Sequence, residues 1–124
     1  MVTPSMQLIG EALAEVASIS VDDALALAGG DDAVFVDVRE RAEHAAGTIA
    51  GSVAAPRGFL EFIADPGSPM HDPALSAGKR LVIYCASGGR SALAAKTLQD
   101  MGYADVANLT GGFQAWSEAG GPTE

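Results

Sequence analysis

Three short, largely apolar runs constrain the fold of this chain more than any other feature: Ala33-Val34-Phe35-Val36, Leu81-Val82-Ile83-Tyr84 and Val106-Ala107-Asn108-Leu109. A strand with one face in water alternates apolar and polar residues. A run that is apolar at successive positions is covered on both faces, as strands of a parallel sheet are. Between the second and third runs, Ala94, Leu98 and Met101 recur at helical spacing before Gly102, a stop signal. Strand, helix and strand in that order form a βαβ unit, whose crossover makes the two strands parallel. The expected fold is therefore α/β, an open, mostly parallel sheet with helices on both faces.

The remaining segments fit around that sheet. Leu8, Ile9, Ala12, Leu13 and Val16 lie on one helical face, with Glu11 and Glu15 on another, which predicts an amphipathic N-terminal helix packed on the domain or on a second subunit. Ser20 has the chemistry of an N-cap, with Asp22 and Asp23 in the first turn of a second helix that should stop at Gly29-Gly30. The proline- and glycine-rich stretch from Gly47 to Pro73 reads as loop, with a short strand near 52–54 and a helical turn near 59–63. No repeat or linker divides the 124 residues, a length that suits one compact domain.

Composition narrows the function. A net charge of −9 disfavours nucleic acid and anionic membrane surfaces as partners. The N-terminus lacks a basic region and an unbroken apolar stretch, and no run is long enough to span a bilayer, so the expected location is cytoplasmic. The lone cysteine, Cys85, can form no internal disulfide and excludes a cysteine-rich zinc site. In a reducing compartment its thiol stays free.

Cys85 directly follows the second strand, and ligands of open parallel sheets bind beyond the strands' carboxyl ends. After it come Ala86, Ser87, Gly88, Gly89, Arg90 and Ser91, then a helix. Such a loop turns backbone N–H groups inward and makes an anion nest. The nest, the helix end and Arg90 should all favour thiolate, the nucleophilic form. A buried structural cysteine fits this strand-loop-helix junction less well.

The loop Cys85-Ala86-Ser87-Gly88-Gly89-Arg90-Ser91 resembles the C-x-x-G-x-R-S active-site loop of the rhodanese family. Asp37-Val38-Arg39-Glu40 is similar to that family's D-V-R-E, the stretch from Glu43 to Ser52 to its E-x-x-x-G-H-I-x-G-A, and Gly111-Gly112-Phe113-Gln114-Ala115-Trp116 to its G-G-x-x-x-W. Thr48 and Ala50 depart from the usual histidine and proline of the middle motif, and residues 1–18 lie outside the likeness. The resemblance implies a rhodanese-like domain over 19–120, preceded by an N-terminal helical extension over 1–18. It implies a cofactor-free sulfurtransferase, monomer or homodimer, in which Cys85 becomes a persulfide cradled by the backbone of Ala86 to Ser91. The donor would be thiosulfate or 3-mercaptopyruvate, and the acceptor cyanide, a thiol or a partner-protein cysteine; a sulfur-relay or sensing module is the alternative. Asp37 and Arg39 would mainly organise structure, Arg39 in a buried ion pair with a neighbouring carboxylate, and Gly111, Gly112 and Trp116 would form a turn and a core anchor. Phosphatases and arsenate reductases that share the fold use a Cys-x5-Arg loop sized for a tetrahedral oxyanion. Here four residues separate Cys85 from Arg90, which favours sulfur.

Other candidates carry weaker signals. Arg57, on the loop after Pro56, could contact an anionic donor. His44 and His71 sit in no motif and are expected to cap or face solvent, since an ionised thiolate needs no base. Glu40, Glu43, Asp65 and Asp72 show no metal-ligand spacing, and no metal is expected.

Overall fold

The computed structural model describes residues 1–124. Its centre is one five-stranded parallel sheet of β1 (Ala17–Ile19), β2 (Ala33–Asp37), β3 (Val53–Ala54), β4 (Arg80–Tyr84) and β5 (Val106–Leu109), in the order β1-β5-β4-β2-β3. The three apolar runs are the three inner strands. Alternate residues of β4 feed two separate cores. Leu81, Ile83 and Cys85 face one side together with Leu60, Ala94, Ala95 and Leu98, whereas Val82 and Tyr84 face the other with Phe35, Leu109 and Trp116.

Helices cover both faces. α1 (Ser5–Glu15), α4 (Leu60–Ala64) and α5 (Gly89–Asp100) border the first core; α2 (Val21–Leu25) and α6 (Gly112–Glu118) border the second, and a short α3 (Arg41–His44) follows β2. The N-terminal helix packs on its own domain: Lys96 of α5 pairs with Glu15 at 2.8 Å, and Ala12 is fully buried. Ser20 caps α2 by accepting from Asp23 N–H, as expected. That helix ends at Leu25, short of Gly29, because the next N–H groups turn to i−3 carbonyls, Leu27 to Ala24 and Ala28 to Leu25.

β1 was not visible as a strand in the sequence, and it spans the 18/19 boundary drawn there. It is a three-residue edge strand whose only sheet partner is β5. Chain order reverses between β2 and β4: β2 leads outward to β3, and β4 leads the other way to β5. The crevice beyond the carboxyl ends of β2 and β4 is thus the topological switch point, where an open α/β sheet places its chemistry. No helix is long and apolar enough to cross a membrane.

Candidate active site

Cys85 sits at this switch point, one residue past β4, and is 1% exposed. The loop after it is shaped from outside by α6. Phe113 N–H donates to the Cys85 carbonyl at 2.8 Å and Gln114 N–H to the Ala86 carbonyl at 3.0 Å. With these carbonyls held by α6, the next amides turn toward the sulfur, and Gly88 N–H donates to Cys85 Sγ at 3.1 Å. Gly88 adopts φ +122°, a left-handed conformation that glycine accepts without cost. Gly112 is required for a different reason. A Cβ there would lie 2.6 Å from the Cys85 carbonyl oxygen and 2.8 Å from Ala86 C and O, so only glycine lets α6 approach the loop this closely.

Ser91, the first inward residue of α5, is fully buried with its Oγ 3.3 Å from Cys85 Sγ. Burial pushes the Cys85 thiol up, but the Ser91 hydroxyl and the N–H groups of Ser91, Gly88 and Ser87 outweigh it, leaving the thiol below its ordinary value. Within hydrogen-bond distance of the sulfur lie one backbone donor, Gly88 N–H, and the Ser91 hydroxyl.

Arg90 is coupled to Cys85, and it also has a carboxylate partner that the loop does not show. Its Nη1 and Nη2 donate to the two carboxylate oxygens of Glu43 at 2.7 and 2.9 Å, a bidentate pair joining α5 to α3. Glu43 is itself fixed, since it also accepts from Glu40 N–H in a capping box. The Arg90 guanidinium holds the Glu43 carboxyl down to about 2, and Arg90 is raised in turn, chiefly by Glu43 and to a lesser degree by Cys85. Glu43 belongs to the middle motif, but no local pattern in the sequence shows its pairing with Arg90. Asn108 was also missed as part of the site. It is 3% exposed within β5, with Oδ1 2.5 Å from Ser91 Oγ and Nδ2 donating to the Gly88 carbonyl at 3.4 Å. Its one visible signal was an amide in an otherwise apolar strand.

The buried carboxylate partner of Arg39 is Asp37, with Arg39 Nη2 at 2.7 Å from Asp37 Oδ2 and also donating to the Gly47 carbonyl. The guanidinium lies over the Phe113 ring at 4.4 Å, which ties β2 to the helix that shapes the loop. His44 Nε2 approaches Asp37 at 3.3 Å without a hydrogen bond, and His71 is bound to the Ile63 carbonyl and Ser76 hydroxyl, so both imidazoles serve structure. Arg57 donates to Glu61 at 3.0 Å and to Thr97 at 3.2 Å rather than to the loop. A cavity of about 440 Å³ opens at the opposite end of the sheet beside Lys79, Tyr103 and Asp105 and touches no loop residue. The donors around the sulfur, not this hollow, mark the candidate site.

Comparison with known proteins identifies the family of the chain. A family model described as a rhodanese-like domain matches residues 20–119. A sulfurtransferase of Allochromatium vinosum is 35% identical over 96 residues, covering 77% of this chain and 82% of its own. A thiosulfate:glutathione sulfurtransferase of Saccharomyces cerevisiae is 32% identical over 120 residues, covering 88% of this chain and 84% of its own. A solved structure from Rhodopseudomonas palustris, described as a protein of unknown function and possible tyrosine phosphatase, is 45% identical with a TM-score of 0.93, covering 100% of this chain and 96% of its own.

Proposed function

The chain belongs to the rhodanese-like domain family, and from that premise we propose that it is a sulfurtransferase carrying sulfur as a persulfide on Cys85. The observation that carries this reading is a buried Sγ with Gly88 N–H at 3.1 Å and the Ser91 hydroxyl at 3.3 Å. These partners favour a thiolate without a side-chain base.

With thiosulfate as donor, the Cys85 thiolate attacks the outer sulfur. A new sulfur–sulfur bond forms, the donor's own sulfur–sulfur bond breaks, and its electron pair leaves on sulfite. The negative charge now lies on the terminal sulfur of the persulfide, which the N–H groups of Ser87, Gly88 and Ser91, already disposed around Sγ, would hold. Cyanide attacking that sulfur leaves as thiocyanate, and a thiolate leaves as a new persulfide. Either step returns Cys85 as thiolate, so atoms and charge balance over the cycle. The yeast relative, named for thiosulfate and glutathione, supports a thiol as acceptor.

The phosphatase description of the Rhodopseudomonas palustris protein is not carried over. Four residues separate Cys85 from Arg90, and the Arg90 guanidinium is already bound through both outer nitrogens to Glu43. A phosphate would have to displace that carboxylate. The test is mass spectrometry after incubation with thiosulfate, read beside thiocyanate release on adding cyanide. One added sulfur on the native chain, none on Cys85→Ser and turnover reduced to background are expected. Equal labelling of both chains refutes the proposal, and Cys85-dependent hydrolysis of an aryl phosphate would replace it.

A further inference from the structure

Ser91 has one hydroxyl proton and three acceptors within reach: Cys85 Sγ at 3.3 Å, the Gly88 carbonyl at 3.2 Å and Asn108 Oδ1 at 2.5 Å. The orientation of the Asn108 amide follows from its other end. Nδ2 donates to the Gly88 carbonyl, and the reversed amide would set two oxygens against each other there. Oδ1 therefore faces Ser91. Two oxygens 2.5 Å apart require a proton between them, and an amide oxygen has none to give.

We infer that Asn108 is a positioning residue: by holding the Ser91 proton it turns the Ser91 oxygen into an acceptor of the Cys85 S–H, and it must release that proton before the thiolate gains Ser91 as a donor. Ser91 is then a rotor with two settings. It points to Asn108 while Sγ is protonated, turns to Sγ in the thiolate, and returns to Asn108 in the persulfide, where the charge has moved to the outer sulfur and Sγ is a neutral divalent atom. Asn108 opposes the first ionisation and favours the sulfur-loaded state.

This inference rests on Cys85 being the reacting thiol and is independent of the donor. The charged groups around the sulfur are Arg90 of α5, neutralised by Glu43 of α3, and the Asp37, Arg39 and His44 cluster beyond Tyr84. The elements packed around the loop also carry Glu11 and Glu15 of α1, Glu61 of α4, Lys96 of α5, Glu118 of α6 and Arg57, which binds Glu61 and Thr97, and β5 carries no titratable side chain. None is altered by a change at Asn108 or Ser91.

Because Cys85 is the only cysteine, the pH dependence of alkylation by iodoacetamide reports its ionisation alone. In Asn108→Leu, Ser91 is freed toward the sulfur, and the midpoint should fall by roughly half to one pH unit. Ser91→Ala should raise it, and adding Asn108→Leu to Ser91→Ala should shift it no further. An unchanged midpoint in folded Asn108→Leu, or the same shift with and without Ser91, overturns the inference. A second readout needs no change at Asn108. The infrared S–H band of the native chain, held below its midpoint, should lie below the frequency of a free thiol and rise in Ser91→Ala. A native band at the free-thiol position also overturns the inference. Neither readout uses a sulfur donor, so absence of sulfur transfer leaves both interpretable, and their failure leaves persulfide formation standing.

Discussion

Replacing Gly112 with alanine should damage both stability and thiol reactivity, although Gly112 makes no contact with the sulfur. The added Cβ would stand 2.6 Å from the Cys85 carbonyl oxygen and 2.8 Å from two Ala86 atoms, all of them backbone. The loop must therefore move away from α6. Movement lengthens the bonds from Phe113 N–H and Gln114 N–H to the loop carbonyls, now 2.8 and 3.0 Å, each worth about 1 kcal/mol. Placing alanine at φ +60° costs about 1–2 kcal/mol more. Gly120 supplies the control, since it has φ +75° and open space where its Cβ would go. Gly120→Ala should lose only the backbone cost, and Gly112→Ala roughly 2 kcal/mol beyond it. Urea unfolding followed by circular dichroism measures the difference, and iodoacetamide alkylation at neutral pH measures the loop. If the two variants lose equal stability and Gly112→Ala is alkylated as fast as the native chain, α6 does not shape the cradle.

Two further outcomes follow from the contacts. Glu43 lies below its ordinary value of 4.5, so its stabilising contribution is complete above that pH and is lost as pH falls through about 2. The pair is partly exposed and worth at most about 1 kcal/mol. Urea midpoints should accordingly fall less between pH 4.5 and 2 in Glu43→Gln than in the native chain, and parallel curves would refute the coupling. Trp116 is fully buried, packs on Phe35 at 5.2 Å and donates to the Pro122 carbonyl, so Trp116→Ala should cost about 3–5 kcal/mol in the same urea assay. A loss below 1 kcal/mol would mean the second core closes without it.

The sheet was legible because its inner strands are apolar at successive positions, a pattern set by burial on both faces and readable from each segment alone. Cys85 was legible as a candidate site for the same local reason: strand, glycine loop and helix follow one another without a gap. What escaped depended on distant partners. Ala17-Ser18-Ile19 becomes a strand only by pairing with 107–109, and two of its three residues are exposed. Arg90 reads as a loop cation until Glu43, 47 residues earlier, is seen to bind it. Asn108 reads as a flaw in an apolar strand until folding brings Ser91 to it. Each case is a non-local contact that neither periodicity nor turn chemistry encodes.

The capture of Arg90 also changes what the loop can select. A guanidinium turned into the loop would offer the anionic ligand a full positive charge, which suits a multiply charged oxyanion. Here that charge is shared: both outer nitrogens bind Glu43 while Arg90 still couples to Cys85, and the groups bound directly to the sulfur are an N–H dipole and one hydroxyl. Dipoles converging on a single atom stabilise charge confined to that atom, as in a thiolate or the outer sulfur of a persulfide, better than charge spread over several oxygens. The proposed preference for sulfur thus has two parts. One is the four-residue spacing, visible in the sequence; the other is the carboxylate on α3 that offsets the charge of the loop's only cation.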